Sequence, residues 1–211
     1  MKRMDDARMA ALAALLLDHS IRIRPGELFE INGGLAAKPL IKALLRGAAT
    51  RGAYPVVALE DDELTRLTLS CIDPAHPERM RPALEKQAAW ELSKWEHVAA
   101  HIDIGVDEND AELAGVDGRA LACYREARAR VRQVMIDERR WVYLHYPTPA
   151  DAQKAGLCMD DMFELFFAAA QVDYAAMERD MTPLVRRMER ARRVRITGIR
   201  DDALLGEWEE T

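Results

Sequence analysis

The residues of this chain whose types could do chemistry are five histidines, a glycine pair, an acidic loop and a dense arginine run. Glu96-His-Val-Ala-Ala-His101 comes closest to a metal motif. On a helix, histidines four apart share one side and can hold one zinc ion. The segment Val98 to Ile104 reads as a strand, however, where four residues span roughly 13 Å. Metal–nitrogen bonds of about 2 Å cannot bridge that gap, so His97 and His101 are expected to be structural. His19, His76 and His145 have no carboxylate or cysteine at ligand spacing, and no catalytic role is expected for them.

Asn32-Gly33-Gly34-Leu-Ala-Ala-Lys38 falls between a strand and a helix, where α/β folds take anions. It lacks the third glycine of a dinucleotide fingerprint and the Gly-Lys-Ser/Thr ending of a phosphate loop. Gly33, Gly34 and Lys38 are kept as a candidate anion-binding turn, beside the plainer reading of glycines in a tight turn. Asp103, Asp107, Glu108, Asn109 and Asp110 crowd the end of a strand without the ligand order or central glycine of a calcium loop. A solvated loop is expected there. Six arginines between Arg186 and Arg195 read as the end of a helix complementing its dipole, with phosphate binding as the alternative. Phe163, Phe166 and Phe167 make an apolar helix face that serves either the core or a partner.

These residues need a frame. Apolar positions 9, 12, 15 and 16, with 13 and 17 in part, predict a helix over Asp5 to His19, followed by a strand from Glu27 to Asn32. A helix from Pro39 to Thr50 ends at Gly52. Tyr54 to Leu59 is an apolar run of the kind found in parallel strands buried on both faces. Helices follow at Asp62 to Ile72 and Glu78 to Lys94, then the strand Val98 to Ile104. One long helix is expected over Gly118 to Glu138, and a strand over Trp141 to Tyr146. Thr148 suits an N-cap, Pro149 the first helical position and Asp151 the electropositive first turn. Helices Met159 to Val172 and Tyr174 to Ala191 and a short strand Arg193 to Thr197 complete the reading. Strands alternating with helices predict an α/β fold, a doubly wound, mostly parallel sheet with helices on both faces. The domain is expected to span residues 1–198, with 199–211 as a tail.

At 211 residues, with 49% hydrophobic and 31% charged side chains, the chain is long enough for a proper core. A net charge of −6 argues against a nucleic-acid platform. No apolar run approaches the ~20 residues needed to cross a bilayer, and the charged N-terminus does not resemble a signal peptide. Cys71, Cys123 and Cys158 are widely spaced in apolar surroundings, so reduced core thiols and a cytoplasmic location are expected.

Several stretches, in order, carry a resemblance. They are Ile21 to Glu27, Pro39 to Leu45, Gly52 to Val57, the acidic loop running to Asp117, Trp141 to Gly156, and Val194 to Gly198. The set resembles the N-terminal domain of the thermophilic metalloaminopeptidases, of the aminopeptidase T and S type. That resemblance implies a hydrolase whose full-length members use two divalent ions (zinc, cobalt or manganese type) to activate water and hold the peptide's amino end. It places the Glu, His and Asp ligands in a second domain, so no catalytic residue and no metal ligand carries over to this chain. Asn109 would organise its loop. Where the family continues with a Thr-Asp-Leu turn, this chain has Ile199 to Thr211, with only Asp202 alignable.

The expectation that follows is a non-catalytic domain, inactive on peptides alone, shaping substrate access and subunit contacts in a homodimer. Two other readings stand beside it. One is a small-molecule or anion-binding α/β module. The other is a relative of the iron-dependent pyridine-ring dioxygenases.

Overall fold

The computed structural model describes residues 6–195. The chain divides into two compact units, Met1–Gln171 and Val172–Thr211. The boundary expected after Gly198, and the tail beyond it, lie outside the described residues.

The first unit opens with helix α1 (Asp6–Leu15), whose apolar residues Met9, Leu12 and Ala13 are buried, as is Leu16 just beyond it, while Leu15 is only half-buried. A single π-helical turn, Leu16–Ser20, extends it as far as the sequence suggested. Strand β1 (Leu28–Gly34) follows, then α2 (Lys38–Thr50), which Gly52 ends at φ +65°, a backbone setting that favours glycine. Next come β2 (Tyr54–Glu60), α3 (Asp62–Leu69), α4 (Arg81–Trp95) and β3 (Val98–Gly105). Helices α5 (Gly118–Ala127) and α6 (Ala129–Asp137) precede β4 (Arg140–His145). The unit closes with α7 (Pro149–Ala155) and α8 (Met159–Ala170).

The four strands are parallel in the order β2-β1-β3-β4. Phe29, Ile31, Ala100, Ile102 and Ile104 point to one face and join α1, α2 and Phe167 of α8 in the main core. Val98 and Leu28 meet Ala88 and Trp95 of α4 and Val131 and Val134 of α6 on the other side. A doubly wound α/β fold with helices on both faces is thus what the sequence assembles.

Four expectations need correction. Strand β2 is parallel but not doubly buried: it forms the sheet's edge and leaves Tyr54 and Leu59 largely exposed. An all-apolar run reports hydrophobicity and says nothing about a strand's place in the order. The long arginine-rich helix is two, broken at Arg128, whose guanidinium bonds Glu91 at 2.5 Å and covers the Tyr124 ring. Of the cysteines only Cys123 is buried, while Cys71 and Cys158 are exposed. Arg193 to Arg195 form no strand, and the rest of that expected strand lies outside the described residues. The phenylalanines of α8 pack with Tyr146 against the core, Phe166 and Phe167 having ring centroids 5.2 Å apart.

The second unit contributes α9 (Tyr174–Arg190), capped by Asp173.

Candidate functional site

In a parallel sheet, loops gather at the carboxyl ends of the strands, and neighbouring strands whose connections leave in opposite directions open a crevice there. Here β1 connects outward to β2 on one side while β3 lies on its other side, so the crevice opens between β1 and β3. A hollow of about 410 Å³ occupies it.

The two glycines of β1 make the hollow possible. Gly33 and Gly34 are the last residues of the strand and not a turn, which corrects the sequence reading. Gly34 has φ −79° and ψ 167°, open to any residue. Its requirement is space. A Cβ on Gly34 would lie 2.0 Å from Cγ2 of Val106, and one on Gly33 would lie 3.0 Å from Ile104. Lys38, the third residue expected in an anion site, is exposed at the first position of α2.

The lining is acidic. Glu60, Asp61, Asp62 and Glu63 come from the β2–α3 junction, and Asp107, Glu108 and Glu112 from the loop after β3. Asp61 is the N-cap of α3, accepting from Leu64 N at 2.9 Å, which explains why acidic residues gather at this helix start. Arg66 bonds Glu112 at 2.7 Å and lies 3.7 Å from Glu63. Asn109 donates to Glu112 at 2.9 Å and accepts from Ala111 N at 3.1 Å, tying the loop to itself. Partial burial, then the like charges of Asp107, Glu60, Asp61 and Glu112, push the Asp62 carboxyl above its ordinary value. A field of that sign attracts cations and repels the anion that the Gly33, Gly34 and Lys38 reading calls for.

Beside the hollow, the ends of β3 and β4 bring together Asp107, His145 and Asp151, each with a ligand atom within 4.8 Å of the others'. The sequence reading missed this, because His145 and Asp151 stand six residues apart across a strand-to-helix turn. The turn itself was legible. Thr148 and Asp151 form a reciprocal capping box at the start of α7, with Pro149 at its first position and Gly156 ending it at φ +67°. Asp151 Oδ2 accepts from the Thr148 N–H at 2.9 Å and lies 2.9 Å from His145 Nε2, while the Thr148 hydroxyl gives its one proton to the Asp107 carbonyl at 2.6 Å. Burial alone would raise the Asp151 carboxyl, but these bonds outweigh it and hold it below the usual range.

A catalytic metal pair needs several free donors converging on two ions. Here one carboxylate oxygen already serves two bonds, and Lys154 Nζ lies 3.9 Å from the other oxygen of Asp151. The cluster fits a capped, histidine-braced helix start and does not fit a two-metal centre. It is the one such grouping among the described residues.

The other expected residues stay apart. His101 is buried in β3, with Nε2 3.3 Å from Asp103 and its ring between Trp95 and Trp141, whereas His97 is exposed in the turn before the strand. The arginines from Arg186 to Arg195 are exposed in the second unit. The one signal that pointed to the hollow and went unread was Glu60-Asp-Asp-Glu63, four acidic residues where a strand gives way to a helix.

Three comparisons bear on identity. The family model described as thermophilic metalloprotease (M29) matches residues 5–192. Aminopeptidase 2 of Geobacillus stearothermophilus is 27% identical over 172 residues, an alignment covering 76% of this chain and 41% of that protein. Wild-type AmpT from Thermus thermophilus shares the fold with a TM-score of 0.58 at 19% identity, over 78% of this chain and 42% of its own. The chain therefore spans about two fifths of the length of these relatives. With the family model matching almost end to end, the chain belongs to the thermophilic metalloprotease (M29) family.

Proposed function

We propose that this α/β unit is a substrate-side, non-catalytic part of an M29-type aminopeptidase. In this reading it draws in the protonated amino end of a peptide and leaves bond cleavage to a metal centre that its own residues do not build. The observation that carries the reading is the hollow at the β1–β3 crevice, where seven carboxylates line one opening. Carboxylates walled by protein focus their field, raise the local concentration of cationic ligands and orient an ammonium group inward. Asp62 and Asp107 both line the hollow; Arg66 pairs with Glu112 and leaves the field negative. A cytoplasmic location belongs to the same proposal, consistent with three free thiols at Cys71, Cys123 and Cys158.

Two measurements test it. Incubated with aminoacyl anilides and added zinc, cobalt or manganese, the chain is expected to release no product beyond the metal-only blank; turnover would overturn the non-catalytic assignment. In an NMR titration with a leucyl peptide amide, shifts are expected around Asp62 and Asp107. The N-acetylated peptide, which lacks the positive charge, is expected to leave them unmoved. Equal responses to both peptides would remove the amine-recognition role.

A further inference from the structure

The loop after β3 and the turn after β4 meet over a mixed set of donors. Asp107, His145 and Asp151 come from three segments: the loop, the end of β4 and the first turn of α7. Their ligand atoms nevertheless converge within 4.8 Å of one another. One fully buried residue arranges both aspartates. The Thr148 hydroxyl holds the Asp107 carbonyl at 2.6 Å, and the Thr148 N–H holds Asp151 Oδ2 at 2.9 Å. We propose that Asp107, His145 and Asp151 bind one divalent cation of the zinc or cobalt kind, which ties the loop after β3 to the start of α7.

Geometry and charge both favour a single ion. His145 Nε2 and Asp151 Oδ2 lie 2.9 Å apart. Two donors held at right angles on one ion by bonds of about 2.0–2.1 Å have nearly that separation. The lone pairs suffice: Oδ2 gives one to the Thr148 N–H and keeps another, and the imidazole binds through Nε2 with its proton on Nδ1. Lys154 does not compete for Oδ2, because it bonds Asp110 and stands 3.9 Å from Oδ1. The Asp107 carboxylate takes no hydrogen bond or ion pair among the described residues, and Arg66 is spent on Glu112. Two carboxylates and a neutral imidazole thus leave two negative charges, which one divalent ion cancels. Asp151 has only 12% of its side chain exposed, so solvent and salt screen that attraction little. The imidazole selects the ion, since nitrogen donors suit zinc, cobalt and nickel, whereas calcium takes about six to eight oxygens. This set offers no donors for a second ion. It shares Asp107 alone with the amine-binding role of the hollow, so either reading can fail without the other.

The test uses the full chain, stripped of metal with EDTA. Isothermal titration calorimetry with cobalt or zinc is expected to show one site per chain with a Kd in the micromolar range. His145→Ala is expected to weaken binding about 100-fold, and Asp107→Asn, at an exposed position, at least about tenfold, both with unchanged circular dichroism. His76→Ala removes an exposed histidine 3.4 Å from Glu78 and is expected to leave binding as it was. In NMR spectra, cobalt is expected to broaden the amides of Asp107, His145 and Asp151 first. A His145→Ala chain that loses cobalt yet still answers the leucyl peptide amide would support the ion site independently of amine recognition. No binding below about 1 mM, binding unchanged by His145→Ala and Asp107→Asn, broadening centred on Glu60 to Glu63, or displacement of cobalt by equimolar calcium would each overturn the proposal.

Discussion

Replacing Gly34 by alanine isolates steric space as the reason for a glycine. At φ −79° and ψ 167° the backbone accepts alanine without strain, so the substitution should stabilise by about 0.4–1 kcal/mol through the unfolded chain if nothing else intervened. The new methyl would stand 2.0 Å from Val106 Cγ2, and forcing an extra carbon into a packed position costs about 1–3 kcal/mol. The steric cost wins, leaving a net loss near 1–2 kcal/mol. For a unit of this size that is a fall in Tm of roughly 2–8 °C, read by urea and thermal unfolding followed by circular dichroism. Val106→Ala alone should cost ~1 kcal/mol for its half-buried methyls. In the double variant the obstructing carbon is gone, so its loss should be smaller than the sum of the singles by more than ~1 kcal/mol. Singles that add within ~0.5 kcal/mol, or a Gly34→Ala chain as stable as the parent, would refute the close-approach argument.

Other perturbations follow from the same geometry. Thr148→Ala removes the cap of α7 and a buried hydroxyl donating to the Asp107 carbonyl at 2.6 Å, and should cost about 1–2 kcal/mol by urea unfolding. The Asp151 carboxyl is held below 3.8 in the folded chain, so its stabilisation is full above that value and lost as pH falls through the folded value. The stability gap between the parent and Asp151→Asn should therefore be constant from neutral pH to about 5 and close on acidification below ~4. Burial pushes the Tyr146 phenol up to about 12, so phenolate absorbance should appear there last. That component should be missing in Tyr146→Phe, and stability should decline between about pH 10 and 12 as the unfolded chain ionises first. Leu44→Ala, at a fully buried position of α2, should cost about 2–5 kcal/mol by the same unfolding measurement.

What could be read from the sequence was local. Positions 9, 12 and 16 announced the buried side of the first helix, though Leu15 is only half-buried, and Thr148, Pro149 and Asp151 announced the start of α7, because spacing and capping depend on neighbours within a turn or two. The alternation of strand and helix was enough to give the parallel sheet. What stayed hidden depends on residues far apart in the chain. The need for Gly34 arises from Val106, and the exposure of β2 arises from its place in the strand order. The break at Arg128 comes with a bond to Glu91, and the partner of His145 is reached only after the chain reverses. The acidic hollow needed two loops, after β2 and after β3, to be placed side by side.

The strand order also sets a timetable for biosynthesis. Strand β1 finds β2 soon after both leave the ribosome, but its other neighbour comes later, since Phe29 pairs with Ala100. At translation rates of ~5–20 residues per second, those roughly 70 residues leave one side of the central strand unsatisfied for about 4–14 s. During that interval the nascent sheet offers open backbone donors and acceptors flanked by Phe29 and Ile31. A chaperone that shields extended apolar chain would act on this stage of synthesis, before the third strand emerges.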